Sequence, residues 1–167
     1  MESSPDPLLH VVLFEPEIPY NAGSVGRTCV ATGCKLWLVR PLGFRVDSAQ
    51  VRRAGLDYWQ HLCWQVVNNW DHLLQQLAPG RLWLFSKRGT RGYHTIDYQP
   101  GDALVFGAES TGLPDWLLQR YPDRVLRIPM RSQVRSLNLS NAVAVTVYEA
   151  LRQWHAAGTA PEWFSKS

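Results

Sequence analysis

Three stretches of this 167-residue chain set hydrogen-bonding and charged side chains directly against apolar runs. The first is PEIPYNAGSVGR, residues 16–27. Asn21 suits an N-cap, and Arg27 follows the missing side chain of Gly23 by one helical turn. A guanidinium makes planar, two-pronged contacts to phosphate and stacks on bases; Asn caps and surface arginines are also common. The second is FGAESTGLP, residues 106–114, where two glycines bracket Glu109 and two hydroxyls directly after an apolar run. Gly107 either lets something approach the backbone closely or makes an ordinary turn. The third is IPMRSQVRSLN, residues 128–138. Ile128, Pro129 and Met130 offer apolar walls with backbone donors and acceptors. Ser136 and Asn138 can cap the following helix or hold a ligand; one such residue would suffice for capping, and several are present.

Familiar catalytic kits are missing. The turn after the first apolar run, EPEIPYNAG, contains no GxGxxG, which removes the main support for a dinucleotide-dependent oxidoreductase. GAESTG at 107–112 has phosphate-loop glycine spacing, but Leu113 stands where a lysine is required. No serine sits in a GxSxG elbow. Cys29, Cys34 and Cys63 form no CxxC, and the five histidines lack metal-ligand spacing, so no metal is expected. An odd cysteine count without a leader pattern points to reduced thiols in the cytoplasm. No apolar run approaches the roughly 20 residues that span a membrane. Net charge is only +3, yet 14 of the 17 basic residues are arginine. That bias suits an RNA or phosphate partner, and equally reflects drift in base composition.

These loops need a scaffold, and the pattern supplies one. Residues 9–14, 35–40, 64–67, 81–86, 103–107 and 124–129 read as short buried strands. Helical stretches are expected at 21–34, with Gly33 placed to end it, and at 70–77, 113–121 and 139–155. Residues 51–59 read as a short helix or turn, and 1–7 as a loose tail. Strands alternating with helices predict one α/β domain over 1–167, a mainly parallel sheet flanked by helices. In such sheets the chemistry sits in loops at strand ends.

Taken in order, NAGSVGR, LVFGAESTGLP and IPMRSQVRSLNLSNAVAVTVYEA resemble the motifs of the SPOUT superfamily of knotted, S-adenosylmethionine-dependent RNA methyltransferases. The resemblance covers residues 11–155. EPEIPYNAG and RRAGLDYW (52–59) are similar to one branch, the small single-domain tRNA 2′-O-methyltransferases acting on the wobble nucleotide, a cytidine or modified uridine at position 34. Tyr20 departs from that branch, where a second proline is common, and Gly26 replaces a bulkier apolar residue.

The resemblance implies a C-terminal deep trefoil knot, a homodimer and a tRNA anticodon-loop substrate. It implies that Phe85, Gly107, Ile128 and Ser136 line the S-adenosylmethionine site, that Met130 and Leu137 wall the adenine, and that Asn138 holds the loop. Glu109 would stand near the mouth. Arg27, with Asn21 beside it, would act at the ribose, as a base or as a positioning group. Tyr148 fits the interface, the substrate side or the core. Arg52, Arg53, Arg88, Arg91 and Arg131 would grip phosphates. Eight tryptophans exceed what one small core comfortably buries, which adds to the expectation of a dimer through 21–33 and 139–155. Other readings are methylation of another tRNA or rRNA ribose, or an RNA-binding module of this fold without catalysis; intact Arg27, Ser136 and Asn138 argue against the latter.

Overall fold

The fold is taken from a computed structural model, which describes residues 6–47, 49, 53, 57–77 and 80–166. The described residues form seven strands: His10–Phe14 (β1), Lys35–Val39 (β2), Trp64–Val67 (β3), Leu82–Phe85 (β4), Arg91–Gly92 (β5), Ala103–Phe106 (β6) and Val125–Arg127 (β7). All pair in parallel, in the order β3-β2-β1-β6-β4-β7-β5. The central strands are short runs of Val, Leu, Trp and Phe, and β1, β2 and β6 are almost wholly buried. Burial on both faces is what makes a parallel strand continuously apolar instead of alternating.

Alternate side chains feed two cores. Val11, Leu13, Leu36, Leu38, Trp83 and Phe85 point to one face. Helices Pro19–Thr32 (α1) and Leu139–Ala156 (α4) cover it with Ala22, Val25 and Cys29, and with Val143, Val147, Leu151 and Trp154. Val12, Phe14, Trp37, Leu84 and Val105 point to the other. Helices Trp70–Gln76 (α2) and Asp115–Arg120 (α3) close it with Trp70, Leu73, Leu117 and Leu118. A short helix, Glu162–Ser165 (α5), packs back on α4. The result is an α/β/α layered domain.

Sequence and structure agree closely on the central elements, and Gly33 ends α1 in the left-handed conformation at φ 72°. The ends differ. α1 begins two residues earlier than expected, because Pro19 is tolerated in the first helical turn. Its N-cap is Ile18, so Asn21 lies inside the helix and is not its cap. β5 has only two residues, and α5 only four, too short for a periodic signal. Of the expected helix or turn at 51–59, residues 57 and 58 form a turn leading into a 3-10 segment, Trp59–His61. Residues 51, 52 and 54–56, and 1–5 of the expected tail, lie outside the described residues, as does Arg52.

Tryptophan does not overload the core. Trp37, Trp70, Trp83 and Trp154 are buried and Trp59 and Trp64 half-buried, leaving Trp116 and Trp163 exposed at 49% and 45%. The buried indoles fit because most find a partner. Trp37 Nε1 donates to His10 Nδ1, Trp83 Nε1 to Asp102 Oδ2 and Trp154 Nε1 to the Tyr98 carbonyl.

Candidate active site

Parallel strands deliver their loops to one end of the sheet, and there the three polar loops meet. Strand β4 ends at Phe85, β6 at Phe106 and β7 at Arg127, and the chain beyond each lines one cavity of about 360 Å³. Phe85 and Phe106 stack at its floor with centroids 4.6 Å apart and planes 9° from parallel. Ile128, Met130 and Leu137 supply further apolar wall, and Gly107, Ser136 and Asn138 complete the group expected from the sequence. Asn21 and Glu109 line the same cavity.

Gly107 does let something approach its backbone closely. An ideal Cβ there would lie 2.1 Å from the Gly112 carbonyl carbon and 2.2 Å from Leu113 N. What approaches its backbone is the chain itself. Residues 107–113 fold back into a tight loop, closed by Gly112 N–H donating to the Ala108 carbonyl at 2.8 Å. No other residue fits at 107.

That loop presents Glu109 to the start of α1. Its Oε2 accepts from Glu17 N–H at 2.7 Å, and its Oε1 from Ile18 N–H at 3.0 Å and from Asn21 Nδ2 at 3.2 Å. Ile18 has no side chain to cap with, and the first turn of α1 carries no acid of its own. A carboxylate 91 residues away in sequence therefore satisfies this helix entry, and its charge complements the positive helix end. The chain of bonds continues. Asn138 Nδ2 donates to Asn21 Oδ1 at 3.0 Å, while Asn138 Oδ1 accepts from Ser140 N–H at 2.9 Å and Asn141 N–H at 3.3 Å, capping α4. Asn138 thus both caps a helix and ties the third loop to the first. The Glu109–Asn21–Asn138 relay locks the starts of both helices on one side of the cavity.

Ser136 is exposed, and its hydroxyl has no protein partner among the described residues. Lys87 and Arg135 stand at the rim, making it cationic, whereas Arg88 pairs with Asp115 at 2.5 Å. Arg27 does not line the cavity. It is exposed on α1, one turn after buried Gly23, with its guanidinium carbon 4.6 Å from the Tyr58 ring centroid. Tyr148 is 45% exposed on α4, near Phe164, so it is not a core aromatic. Lining residues that the sequence did not single out include Ile18, Lys87, Arg135 and Ala142. Arg135 sits within the third loop and Lys87 directly follows the expected strand 81–86, and their charge was the available signal. Ile18 and Ala142 face inward only because two helix starts converge.

A parallel sheet with a ligand-sized crevice built from loops at its carboxyl edge defines an α/β enzyme domain that holds a small molecule. The chain belongs to the SpoU rRNA methylase family, matching it over residues 8–148. It is 51% identical over 156 residues to a tRNA (cytidine(34)-2′-O)-methyltransferase of Saccharophagus degradans, covering 91% of this chain and 99% of that one. It is 48% identical over 149 residues to the protein of the same name from Burkholderia pseudomallei, covering 87% and 96%. A solved structure concerning 2′-OH methylation of C/U34 on tRNA superposes with a TM-score of 0.85 at 46% identity, covering 89% of this chain and 97% of that one. An AdoMet-bound rRNA methyltransferase from Sinorhizobium meliloti superposes at 0.77 with 30% identity, covering 86% of this chain and 56% of that one.

Proposed function

We propose that the protein transfers a methyl group from S-adenosylmethionine to the ribose 2′-oxygen of the wobble nucleotide of tRNA. The observation that carries this reading is the coincidence of two things: the cavity formed by the three loops, and 51% identity over nearly the whole chain to an enzyme named for that reaction. The cavity suits the cofactor. Its volume lies in the range of small-molecule sites, its walls are aromatic and aliphatic on one side, and its rim is cationic. In this reading Phe85, Ile128, Met130 and Leu137 hold the adenine, and Ser136 and backbone groups hold the polar part. Lys87 or Arg135 would face the carboxylate. When bound, S-adenosylmethionine supplies a methyl group already activated on a sulfonium.

The chain's own task is positioning, which removes much of the entropic barrier. The Glu109–Asn21–Asn138 relay keeps the cavity wall rigid. Arg27 is the ribose-side group. Guanidinium stays protonated in proteins, so it fits orientation of the ribose and stabilisation of charge developing on the 2′-oxygen better than proton abstraction. The proton would leave to an adjacent phosphate or water.

The assembly we propose is a homodimer through α1 and α4. The support is apolar exposure on and beside those helices: Ile18 at 43%, Tyr20 at 53%, Val145 at 40% and Tyr148 at 45%. A dimer also offers a way for Arg27, which stands outside the cavity, to meet a ribose bound near it. The fold we propose for the C-terminal part is a trefoil knot. β7 lies between β4 and β5, which are joined only by residues 86–90. That connection passes so close to β7 that a Cβ on Gly89 would lie 2.7 Å from the Leu126 carbonyl carbon. In this reading the chain leaving β7 threads the loop that follows β4. We place the protein's work in the cytoplasm, where tRNA is modified; Cys29, Cys34 and Cys63 are unpaired, and none of the described helices is long and apolar enough to cross a membrane.

The test is incubation with labelled cofactor and tRNA lacking the modification. Nucleoside mass spectrometry and resistance to alkaline cleavage then locate the product. A protected linkage confined to position 34 supports the reading. A methylated base, or a ribose elsewhere, moves the protein to another substrate. Arg27→Ala should abolish transfer with cofactor affinity unchanged. Arg27→Lys should also be inactive, because an ammonium cannot reproduce a planar two-pronged contact; a substantially active Lys variant overturns the positioning role.

A further inference from the structure

The end of Arg27 rests on the ring of Tyr58. The guanidinium carbon lies 4.6 Å from the ring centroid, within the roughly 6 Å over which a cation is attracted to an aromatic face. Among the described residues the Arg27 side chain has no ion pair or hydrogen bond. A long side chain on an exposed helix face otherwise samples many rotamers.

Tyr58 itself is held against α1 by an unusually close approach. At Gly26, an ideal Cβ would lie 3.1 Å from Leu62 Cδ2 and 3.1 Å from Trp59 Cζ3. The missing side chain is the space into which the 59–62 turn packs, which explains why a helix-weakening glycine precedes Arg27. The turn is closed by His61 N–H to the Tyr58 carbonyl at 2.8 Å and by Leu62 N–H to the Trp59 carbonyl at 3.1 Å. Leu62 is buried in the same core as Val25 and Cys29, and Trp59 packs against Trp64 with centroids 5.2 Å apart. Anchored on both sides, the turn delivers the Tyr58 ring onto the guanidinium of the residue after Gly26.

We infer that Tyr58 is a positioning residue for Arg27, its π face holding the guanidinium in one orientation for the ribose. The inference rests on the reading of Arg27 as the ribose-side group. It assigns the task to the ring face and not to the hydroxyl.

Tyr58→Phe, Tyr58→Leu and Arg27→Ala separate the possibilities when kcat, KM for tRNA and cofactor affinity are measured for each. Tyr58→Phe should keep kcat within about 3-fold of the parent, because the face is retained. Tyr58→Leu should lower kcat roughly 10- to 100-fold, the scale of a misplaced reacting group, with cofactor affinity and thermal midpoint unchanged. If Tyr58→Leu keeps full kcat while Arg27→Ala is inactive, the role of Tyr58 is wrong. If Arg27→Ala is fully active, the reading beneath it is wrong instead. A second measurement needs no variant: guanidinium rotation in the parent protein by nitrogen NMR. Rotation at Arg27 should be slower than at exposed Arg131; equal rates overturn the inference even if Tyr58→Leu proves unstable.

Discussion

At the scale of single residues, Glu109 is the least obvious and most consequential. The family resemblance implies a place for it near the mouth, toward the RNA or the methionine end. In the structure both its oxygens already accept from the entry of α1 and from Asn21. We therefore expect Glu109→Ala to cost about 1–2 kcal/mol of stability, the scale of a lost helix cap, and Glu109→Gln to fall between, since one acceptor oxygen remains. Denaturant unfolding measures both; a Gln variant of full stability but without activity would return Glu109 to a chemical role. Ser136 poses the opposite case, an exposed hydroxyl with no protein partner among the described residues. Ser136→Ala should leave unfolding unchanged and weaken cofactor binding about 2- to 13-fold, the value of one hydrogen bond. Calorimetric affinity equal to the parent's would remove Ser136 from the site.

At the scale of elements, the first two strands carry a pH dependence. His10 begins β1 and accepts the Trp37 indole N–H across to β2, which requires an unprotonated Nδ1. Burial pushes its pKa from 6.5 down to about 4, and the neighbouring Lys35 ammonium, stacked 3.9 Å over the same indole ring, adds to the shift. The unfolded chain therefore binds this proton at a higher pH than the folded one does. The stabilisation is complete above about 6.5 and is lost as pH falls towards 4. Unfolding midpoints in urea should decline over that window. His10→Gln, which can accept the same bond without titrating, should flatten the decline; an unchanged slope would assign it to other groups.

At the scale of the whole molecule, the exposed apolar side chains of α1 and α4 are what a single chain leaves uncovered. Light scattering should give twice the 19.0 kDa chain mass at micromolar concentration. Tyr148→Asp should shift it towards one chain mass while the core, to which Tyr148 contributes little, stays folded. A monomeric parent protein would remove the dimer. Within the chain, β7 inserts between β4 and β5, a long-range pairing that no local propensity encodes.

Much of this architecture was legible residue by residue. Buried parallel strands are continuous apolar runs, so β1, β2, β3, β4 and β6 announced themselves, and Gly33 marked the end of α1 because only a left-handed position stops a helix that way. The members of the cavity were legible too, since polar residues beside strand ends are placed by chain direction alone. What tertiary structure decided is which groups serve one another. Gly107 and Gly26 are glycines because distant backbone and side chains press on them, and Glu109 and Asn138 are held by helix starts 91 and 117 residues away. The tryptophan count suggested an overloaded core, yet hydrogen-bond partners admit Trp37, Trp83 and Trp154 to it. Such pairings depend on the crossing order of the strands, and side chains far apart in sequence meet only after the sheet has set that order.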